Sequence, residues 1–114
     1  MRLVVTGGRD YCDTARIWAA LDELHARRPV SVLIEGEAPG LDTRARVWAK
    51  RKGIAVDPYP ADWSIGLGAG LQRNEAMIYM GKPDFGLVFP GGRGTAHMRQ
   101  CLIRAGIPFE DVAP

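Results

Sequence analysis

With 114 residues, 46% hydrophobic and 25% charged, the sequence has the length and composition of one globular domain, which we expect to span residues 1–114. No apolar run approaches the roughly 20 residues that cross a bilayer, and the apolar start ends after residue 6, so we expect no signal peptide, no membrane contact and a cytoplasmic location. A formal net charge of +2 disfavours nucleic-acid binding, which usually requires a clustered basic face.

Apolar runs alternate with helical patterns along the whole chain. The predicted strands are, in chain order, 3–6, 30–35, 54–59, 85–89 and 107–112. The predicted helices are one between Asp13 and Pro29, one over 41–52, one after a loop at 61–68 that ends near residue 80, and one over 95–105. Asp13 is a good N-cap residue and Pro29 a helix breaker, so these two residues bound the first helix.

This alternation predicts an α/β fold, since helical crossovers join strands that run parallel. We expect a single three-layer Rossmann-like domain with helices on both faces of a mainly parallel five-stranded sheet in the order 3-2-1-4-5. Pro108 places the last strand at an edge. In that order the ligand-binding crevice lies where strands one and four meet, at their carboxyl ends.

The two most glycine-rich strand ends fall on these two strands. They are residues 6–10 (Thr-Gly-Gly-Arg-Asp) and 89–95 (Phe-Pro-Gly-Gly-Arg-Gly-Thr). A glycine turn before a helix brings backbone N–H groups and a positive helix end close to an anion, which favours phosphate. The same glycines are also an ordinary way to end a strand. The residues expected to bind the ligand are Thr6, Gly7, Gly8, Arg9, Gly36, Gly40, Asp42, Arg73, Asn74, Pro90, Gly91, Gly92, Arg93, Gly94 and Thr95.

Several of these side chains have a second interpretation. Arg9 and Arg93 are suited to a bidentate contact with phosphate, or they are exposed loop arginines. Asp42 accepts ribose hydroxyls or caps its own helix, and Thr95 is a possible N-cap. Trp63 stacks on a base or lies in the core. Arg73 points into the crevice or pairs with an acidic neighbour.

The cysteines and histidines do not form a metal-binding pattern. Cys12 and Cys101 are far apart, and neither His25 nor His97 has a second ligand at metal spacing, so we expect reduced thiols, no metal and no cofactor. His97, near the start of the fourth helix, is a weak acid/base candidate. A catalytic role for Cys12 is disfavoured because no histidine follows it closely.

Taken together, these motifs resemble the YspA-type, cpYpsA-related group of the SLOG superfamily, which also includes the LOG cytokinin-activating enzymes and the DprA/Smf proteins. The segments that carry the resemblance are 5–11, 36–42, 59–63, Arg73-Asn74 and 89–95, together with Ala45 and Trp48-Ala49. The resemblance covers nearly the whole chain. It implies a Rossmann-like fold that binds a nucleotide or a derivative such as ADP-ribose, and relatives that assemble suggest a homodimer or a larger homo-oligomer.

The resemblance to LOG enzymes, which hydrolyse the N-glycosidic bond of a nucleoside monophosphate, is incomplete. Their signature Pro-Gly-Gly-x-Gly-Thr-x-x-Glu is matched at 90–95, but Met98 replaces the glutamate. Their helix motif Met-x-x-Arg-Lys-x-x-Met is matched at Arg73 and Met77, whereas Gly70 and Asn74 replace its first methionine and its lysine. A thioether supplies no acid or base.

We therefore expect a binding module that senses or processes a nucleotide-like ligand. The alternative is an N-glycosidic hydrolase that uses another carboxylate. Its candidate catalytic residues are Arg73 with Asp10 or Asp42, ahead of Asp62 and Glu75. A DprA-like single-strand binder is disfavoured by the small net charge.

Overall fold

The computed structural model describes residues 1–66 and 68–114, and it contains a five-stranded parallel sheet. The strands are β1 (Arg2–Thr6), β2 (Val32–Glu35), β3 (Ala55–Pro58), β4 (Phe85–Val88) and β5 (Phe109–Asp111). The helices are α1 (Thr14–Arg27), α2 (Leu41–Arg51), α3 (Ala69–Tyr79) and α4 (Arg93–Ala105), with a short 3-10 helix at Trp63–Ile65. Leu67, within the predicted loop 61–68, lies outside the described residues.

The strand order is β3-β2-β1-β4-β5, and all four pairings are parallel. The predicted α/β fold and its strand order are thereby confirmed. Because β1 lies at the centre and both its neighbours run parallel to it, the carboxyl ends of β1, β2 and β4 meet at one edge of the sheet.

Alternation of side chains along the strands divides the interior into two cores. In β1, Leu3 and Val5 face α1 and α2, whereas Val4 faces α3 and α4. The first core is the larger, and its main side chains are Ile17, Leu21, Leu24, Leu33, Leu41, Trp48, Leu87 and Phe89. The second core contains Ile34, Met77, Ile78, Val88, Met98 and Leu102. The molecule therefore has the three predicted layers.

The ends of the elements show where local chemistry was predictable. The carboxylate of Asp13 accepts the Arg16 N–H at 3.1 Å and caps α1 as predicted. Strand β2 begins at Val32, two residues later than predicted, because the Val30 N–H donates to His25 Nδ1 (2.9 Å) instead of joining the sheet. Gly106, with φ of +69°, ends α4 in the left-handed conformation.

Helix α2 begins at Leu41 as predicted, but α4 begins earlier than predicted, and neither Thr95 nor Asp42 caps its helix. Helix α4 begins at Arg93, with Gly92 as its N-cap, so Thr95 is the third residue of the helix and does not cap it. The N-cap of α2 is Gly40, so Asp42 does not cap its own helix either. Gly40 has φ of +79°, and a side chain there would collide with the Gly8 carbonyl. The close approach of two loops therefore sets the start of α2.

Within the described residues, no helix has the length and apolar character needed to span a membrane.

Candidate functional site

A cavity of about 610 Å³ opens at the carboxyl ends of β1 and β4, where the strand order reverses. Its volume is in the range of small-molecule sites, roughly 300–1,000 Å³. The predicted site residues that line it are Thr6, Gly7, Gly8, Arg9, Asp10, Asp42, Arg73, Asn74, Gly92, Arg93, Gly94 and Thr95. Residues from four separate segments of the sequence therefore converge on one cavity.

Gly8 joins the loops that surround this cavity. Its N–H donates to the Pro90 carbonyl at 2.8 Å, and its own carbonyl accepts the N–H groups of Tyr11 and Leu41, both at 3.2 Å. The loops that follow β1, β2 and β4 are therefore tied to one another by backbone hydrogen bonds. Such a connection fixes the cavity wall without using the side chains that face the cavity.

The other four predicted residues, Gly36, Gly40, Pro90 and Gly91, do not line the large cavity. Gly36 borders an adjoining space of about 100 Å³, where Arg73 packs directly over it. A side chain at Gly91 would collide with the Thr95 hydroxyl and come within 2.8 Å of the Gly8 nitrogen. These residues allow the loops to pack closely against each other. They therefore support the cavity wall and do not face the cavity themselves.

The first turn of α4 presents unpaired donors to the cavity. The first backbone bond of this helix runs from the Ala96 N–H to the Gly92 carbonyl (3.0 Å), so the N–H groups of Arg93, Gly94 and Thr95 have no carbonyl partner in the helix. No side chain among residues 1–66 and 68–114 caps this end. The helix dipole adds a positive partial charge at the same place, so the turn favours an anion.

Three arginines surround the cavity, and Arg73 is the most firmly held. Its Nη1 donates to the Gly36 carbonyl at 2.6 Å, and its Nε donates to Asn74 Oδ1 at 3.1 Å. Asn74 Nδ2 in turn donates to the Gly94 carbonyl at 3.1 Å. Burial lowers the pKa of Arg73, partly offset by the Asp42 carboxylate. Arg73 therefore lies at a fixed place between the loop after β2 and the start of α4.

The loop after β2 satisfies its own donors. Asp42 Oδ2 accepts the N–H groups of Gly36 (3.1 Å) and Ala38 (3.2 Å), and Glu35 Oε1 accepts the Glu37 N–H (2.8 Å). Burial raises the pKa of Asp42, whose side chain is 7% exposed. Asp42 thus holds this loop with one carboxylate oxygen while it lines the cavity, which makes this wall acidic.

Trp63 is 54% exposed and lines both the large cavity and the adjoining small one. The Arg9 guanidinium carbon lies 5.4 Å from the centre of its ring, a cation–π distance. The indole that fills the core belongs to Trp48, which is 1% exposed. Of the two interpretations of Trp63 in the sequence, core burial is therefore excluded.

The remaining candidates lie away from the large cavity. Asp62 accepts the Ser64 N–H and caps the 3-10 helix, and Glu75 borders a different cavity of about 570 Å³. His97 Nδ1 lies 3.1 Å from Asn74 Nδ2 and also contacts the buried Cys101 thiol. Cys12 is exposed. Among residues 1–66 and 68–114, no three His, Cys, Asp or Glu side chains form a group able to hold a metal.

Sequence reasoning missed several lining residues and one buried acid. The missed lining residues are Val5, Ala38, Gly70, Leu71 and Met77. Small and apolar residues carry no chemical pattern, so only the fold reveals them. Glu35, the buried acid, ends the Val-Leu-Ile-Glu strand, and alternation from Leu33 could have placed it on the core face.

Comparison with known proteins agrees with the geometry. The family described as the YspA, cpYpsA-related SLOG family matches residues 1–66. The chain belongs to this family. It is similar to the Gene 61 protein of Mycobacterium phage D29, with 40% identity over 116 aligned positions that cover 94% of this chain and 92% of the phage protein. The resemblance drawn from the sequence motifs is confirmed at the level of the family.

The segment that matches the SLOG family contains three walls of the cavity. It includes the loop after β1, the loop after β2 with Asp42, and Trp63. The start of α4 and the Arg73–Asn74 pair come later in the chain and reach the same cavity from the other side. The cavity is therefore formed both by residues inside the matched segment and by residues that follow it.

Proposed function

We propose that this SLOG-family chain binds a nucleotide or a nucleotide-derived ligand, such as a nucleoside phosphate or ADP-ribose, in the cavity at the ends of β1 and β4. The ligand's phosphate contacts the first turn of α4 and the guanidinium of Arg93. Its ribose hydroxyls donate to Asp42, and its base stacks on Trp63. In this role the chain acts as a sensor or as a nucleotide-processing protein.

The observation that carries this proposal is the convergence of three unlike surfaces on one cavity. Unpaired N–H donors and arginines favour an anion, a buried carboxylate favours hydroxyl donors, and an exposed indole favours a planar ring. A nucleotide carries all three groups in one small molecule. A simple sugar phosphate would leave the indole unused, and a free base would leave the anion site empty.

Isothermal calorimetry with AMP, ADP-ribose, NAD and adenosine tests the binding. We expect heat with the phosphorylated compounds and weaker binding of adenosine. Chromatography of the same mixtures after incubation detects any released base. No heat with any of the four compounds would overturn the proposal.

A second candidate function, hydrolysis of an N-glycosidic bond, is favoured by one observation. Asp42 lies on the cavity wall, burial raises its pKa, and the positive charge of Arg73 lies close enough to counter that rise. A carboxyl group with a raised pKa is a suitable general acid. Met98 is fully buried in the second core, so position 98 does not face the cavity and offers no replacement for the LOG glutamate. Released base from AMP, lost in Asp42→Asn, is the result that this function requires.

We also propose that the chain forms a homodimer through α3 and α4. Tyr79 is 76% exposed and Leu71, two turns earlier on α3, is 46% exposed. Between these helices lies the cavity of about 570 Å³, which Glu75 and Arg104 both border. In a twofold dimer, Glu75 of one protomer faces Arg104 of the other, and the same ion pair forms a second time by symmetry.

Sedimentation velocity of charge-reversal variants tests the dimer. We expect a dimer for the wild type, a monomer for Arg104→Glu, and a restored dimer for the double variant Glu75→Arg with Arg104→Glu. A wild type that remains monomeric at every concentration, or a double variant that stays dissociated, would count against this arrangement.

A further inference from the structure

Glu35 is a buried acid that the proposed ligand contacts do not use. It ends β2, on the face that packs against α2, and its side chain is 0% exposed. Its Oε1 accepts the Glu37 N–H at 2.8 Å and lies 3.3 Å from Arg46 Nη1. Its Oε2 is buried and has no hydrogen-bond partner among the described residues. A buried polar atom without a partner is costly, so this oxygen requires an explanation.

Charged groups from three parts of the fold surround this carboxyl. Arg46 and Asp42 face it from α2, Glu37 from the following loop, and Arg73 acts on it from α3. Burial raises the pKa of Glu35 to about 7; the Glu37 N–H opposes this rise, the Asp42 carboxylate adds to it and Arg46 opposes it. The carboxyl therefore gains or loses its proton close to neutral pH, whereas an ordinary glutamate titrates near pH 4.3.

A single short loop separates Glu35 from the cavity. Glu35 holds this loop at the Glu37 N–H, and Asp42 holds it at the N–H groups of Gly36 and Ala38. Arg73 closes it from the other side through the Gly36 carbonyl. Glu37 itself has a positive φ of 55°, which is uncommon for a residue with a side chain. Asp42 and Arg73 both line the cavity, so the charge on Glu35 acts on the acidic wall and on one of the arginines that face the ligand.

We propose that Glu35 is a positioning residue that takes up one proton on Oε2 when an anionic ligand enters the cavity, which makes anion binding stronger as the pH falls through neutrality. An ionised Glu35 partly neutralises the positive charge of Arg73. It also adds a second negative charge beside the Asp42 carboxylate. Protonation removes that competition and leaves Arg73 free to attract the anion. Because binding and protonation are linked, the ligand raises the proton affinity of Glu35 by the same factor. This inference rests on the proposed function, since it requires an anion in this cavity.

The proton balance can be tested with anions whose own charge does not change near neutral pH. Sulfate and ADP-ribose serve as probes, because a phosphate monoester releases its second proton near pH 6 and would obscure the result. Calorimetry in buffers of different ionisation enthalpy measures the protons taken up per bound anion. We expect a positive uptake, below one proton. The affinity should fall by up to about tenfold between pH 6 and 8, because Glu35 of the free protein is ionised mainly above pH 7 and full coupling of one proton gives a factor of ten per pH unit.

Two variants separate this role from a structural one. In Glu35→Gln, which keeps the shape of the side chain, the proton uptake and the pH dependence should disappear while anion binding remains. In the matched control Glu23→Gln, which alters an exposed acid on α1 away from the cavity, both should be retained. Carbon-13 NMR of the wild-type Glu35 carboxyl gives a direct measurement: its titration midpoint should move upward when sulfate is added.

The outcomes are distinguishable. Anion binding with no proton uptake and an unmoved Glu35 titration would overturn the role of Glu35 and leave the proposed function intact. Proton uptake that persists in Glu35→Gln would also overturn it, because another group would then carry the proton. Absence of binding for both sulfate and ADP-ribose would overturn the proposed function together with this inference.

Discussion

The loops at residues 36–42 and 90–95 are both glycine-rich, both follow a parallel strand, and both lead into a helix, yet they are electrostatic opposites. In the first, the N–H groups of Gly36, Glu37 and Ala38 bond to the carboxylates of Asp42 and Glu35. In the second, the N–H groups at the start of α4 have no carbonyl partner in the helix and no side-chain cap. The same kind of sequence thus produces an acidic wall and a basic wall.

The difference comes from where the carboxylates lie relative to each turn. Asp42 follows Gly40 by two residues and reaches back to the loop, so the donors there are already used. The corresponding place in the second loop is Gly94, which has no side chain to reach back with. A glycine-rich strand end therefore favours phosphate only when no acid in its own sequence can occupy the donors. Four predictions test this contrast, from the largest expected effect to the smallest.

Gly91→Ala should abolish the basic wall. A methyl group there collides with the Thr95 hydroxyl and approaches the Gly8 backbone nitrogen, so the loop must move. We expect the free energy of unfolding in urea to fall by about 1–3 kcal/mol, as for overpacked sites, and AMP affinity to fall by about 100-fold or more. Gly94→Ala is the control for stability, since its added methyl meets no atom within 4 Å. Equal destabilisation by both variants would show that the close contact at Gly91 is unimportant.

Arg93→Ala should weaken AMP binding by about 10- to 100-fold, because a hydrogen bond to a charged group contributes roughly 1.5–3 kcal/mol. Adenosine binding should change little, since adenosine has no phosphate. Arg51→Ala removes another exposed arginine far from the cavity and should affect neither compound. If Arg93→Ala weakened adenosine and AMP equally, Arg93 would not contact the phosphate.

Trp63→Ala should lower the affinity for AMP by about tenfold, with a smaller effect on ribose 5-phosphate, which has no base. Stacking of a base on an aromatic side chain contributes roughly 1–3 kcal/mol. Since Trp63 is more than half exposed, its removal should leave the melting temperature nearly unchanged. Trp63→Phe should retain most of the affinity, which separates stacking from the indole N–H.

Much of this site was predictable, for a physical reason. Hydrophobic alternation and glycine turns are local, so the strand order and the two loops beside the switch point followed from the sequence. The start of α2 was predicted correctly, but its Gly40 N-cap and the start of α4 were not, because they depend on contacts between loops, such as Gly40 against the Gly8 carbonyl. The role of Asp42 could not be predicted from the sequence for the same reason. Its sequence position allowed a helix cap or a ribose contact, and only the fold revealed that it bonds to Gly36 and Ala38.

The chemistry of Glu35 was outside the reach of sequence motifs. A single acid at the end of a strand is usually exposed, and although alternation from Leu33 places Glu35 on the core face, it does not show that α2 covers the carboxyl. Its burial depends on the packing of α2 against β2, where Arg46 also reaches it. Titratable groups whose pKa depends on burial must therefore be found from the folded chain.

Asp42→Asn should have the smallest effect, and its sign should differ between two kinds of ligand. The variant loses an anionic acceptor for ribose, so adenosine should bind about fivefold more weakly, equivalent to about 1 kcal/mol for one hydrogen bond. Sulfate should bind about fivefold more tightly, since a carboxylate and a doubly charged anion roughly 8 Å apart in a water-like medium repel by about 1 kcal/mol. Calorimetry with both probes measures the two changes, with Glu37→Gln as the exposed control. If sulfate and adenosine affinities fell together, the loop after β2 would be acting through its shape, and the electrostatic contrast between the two walls would be wrong.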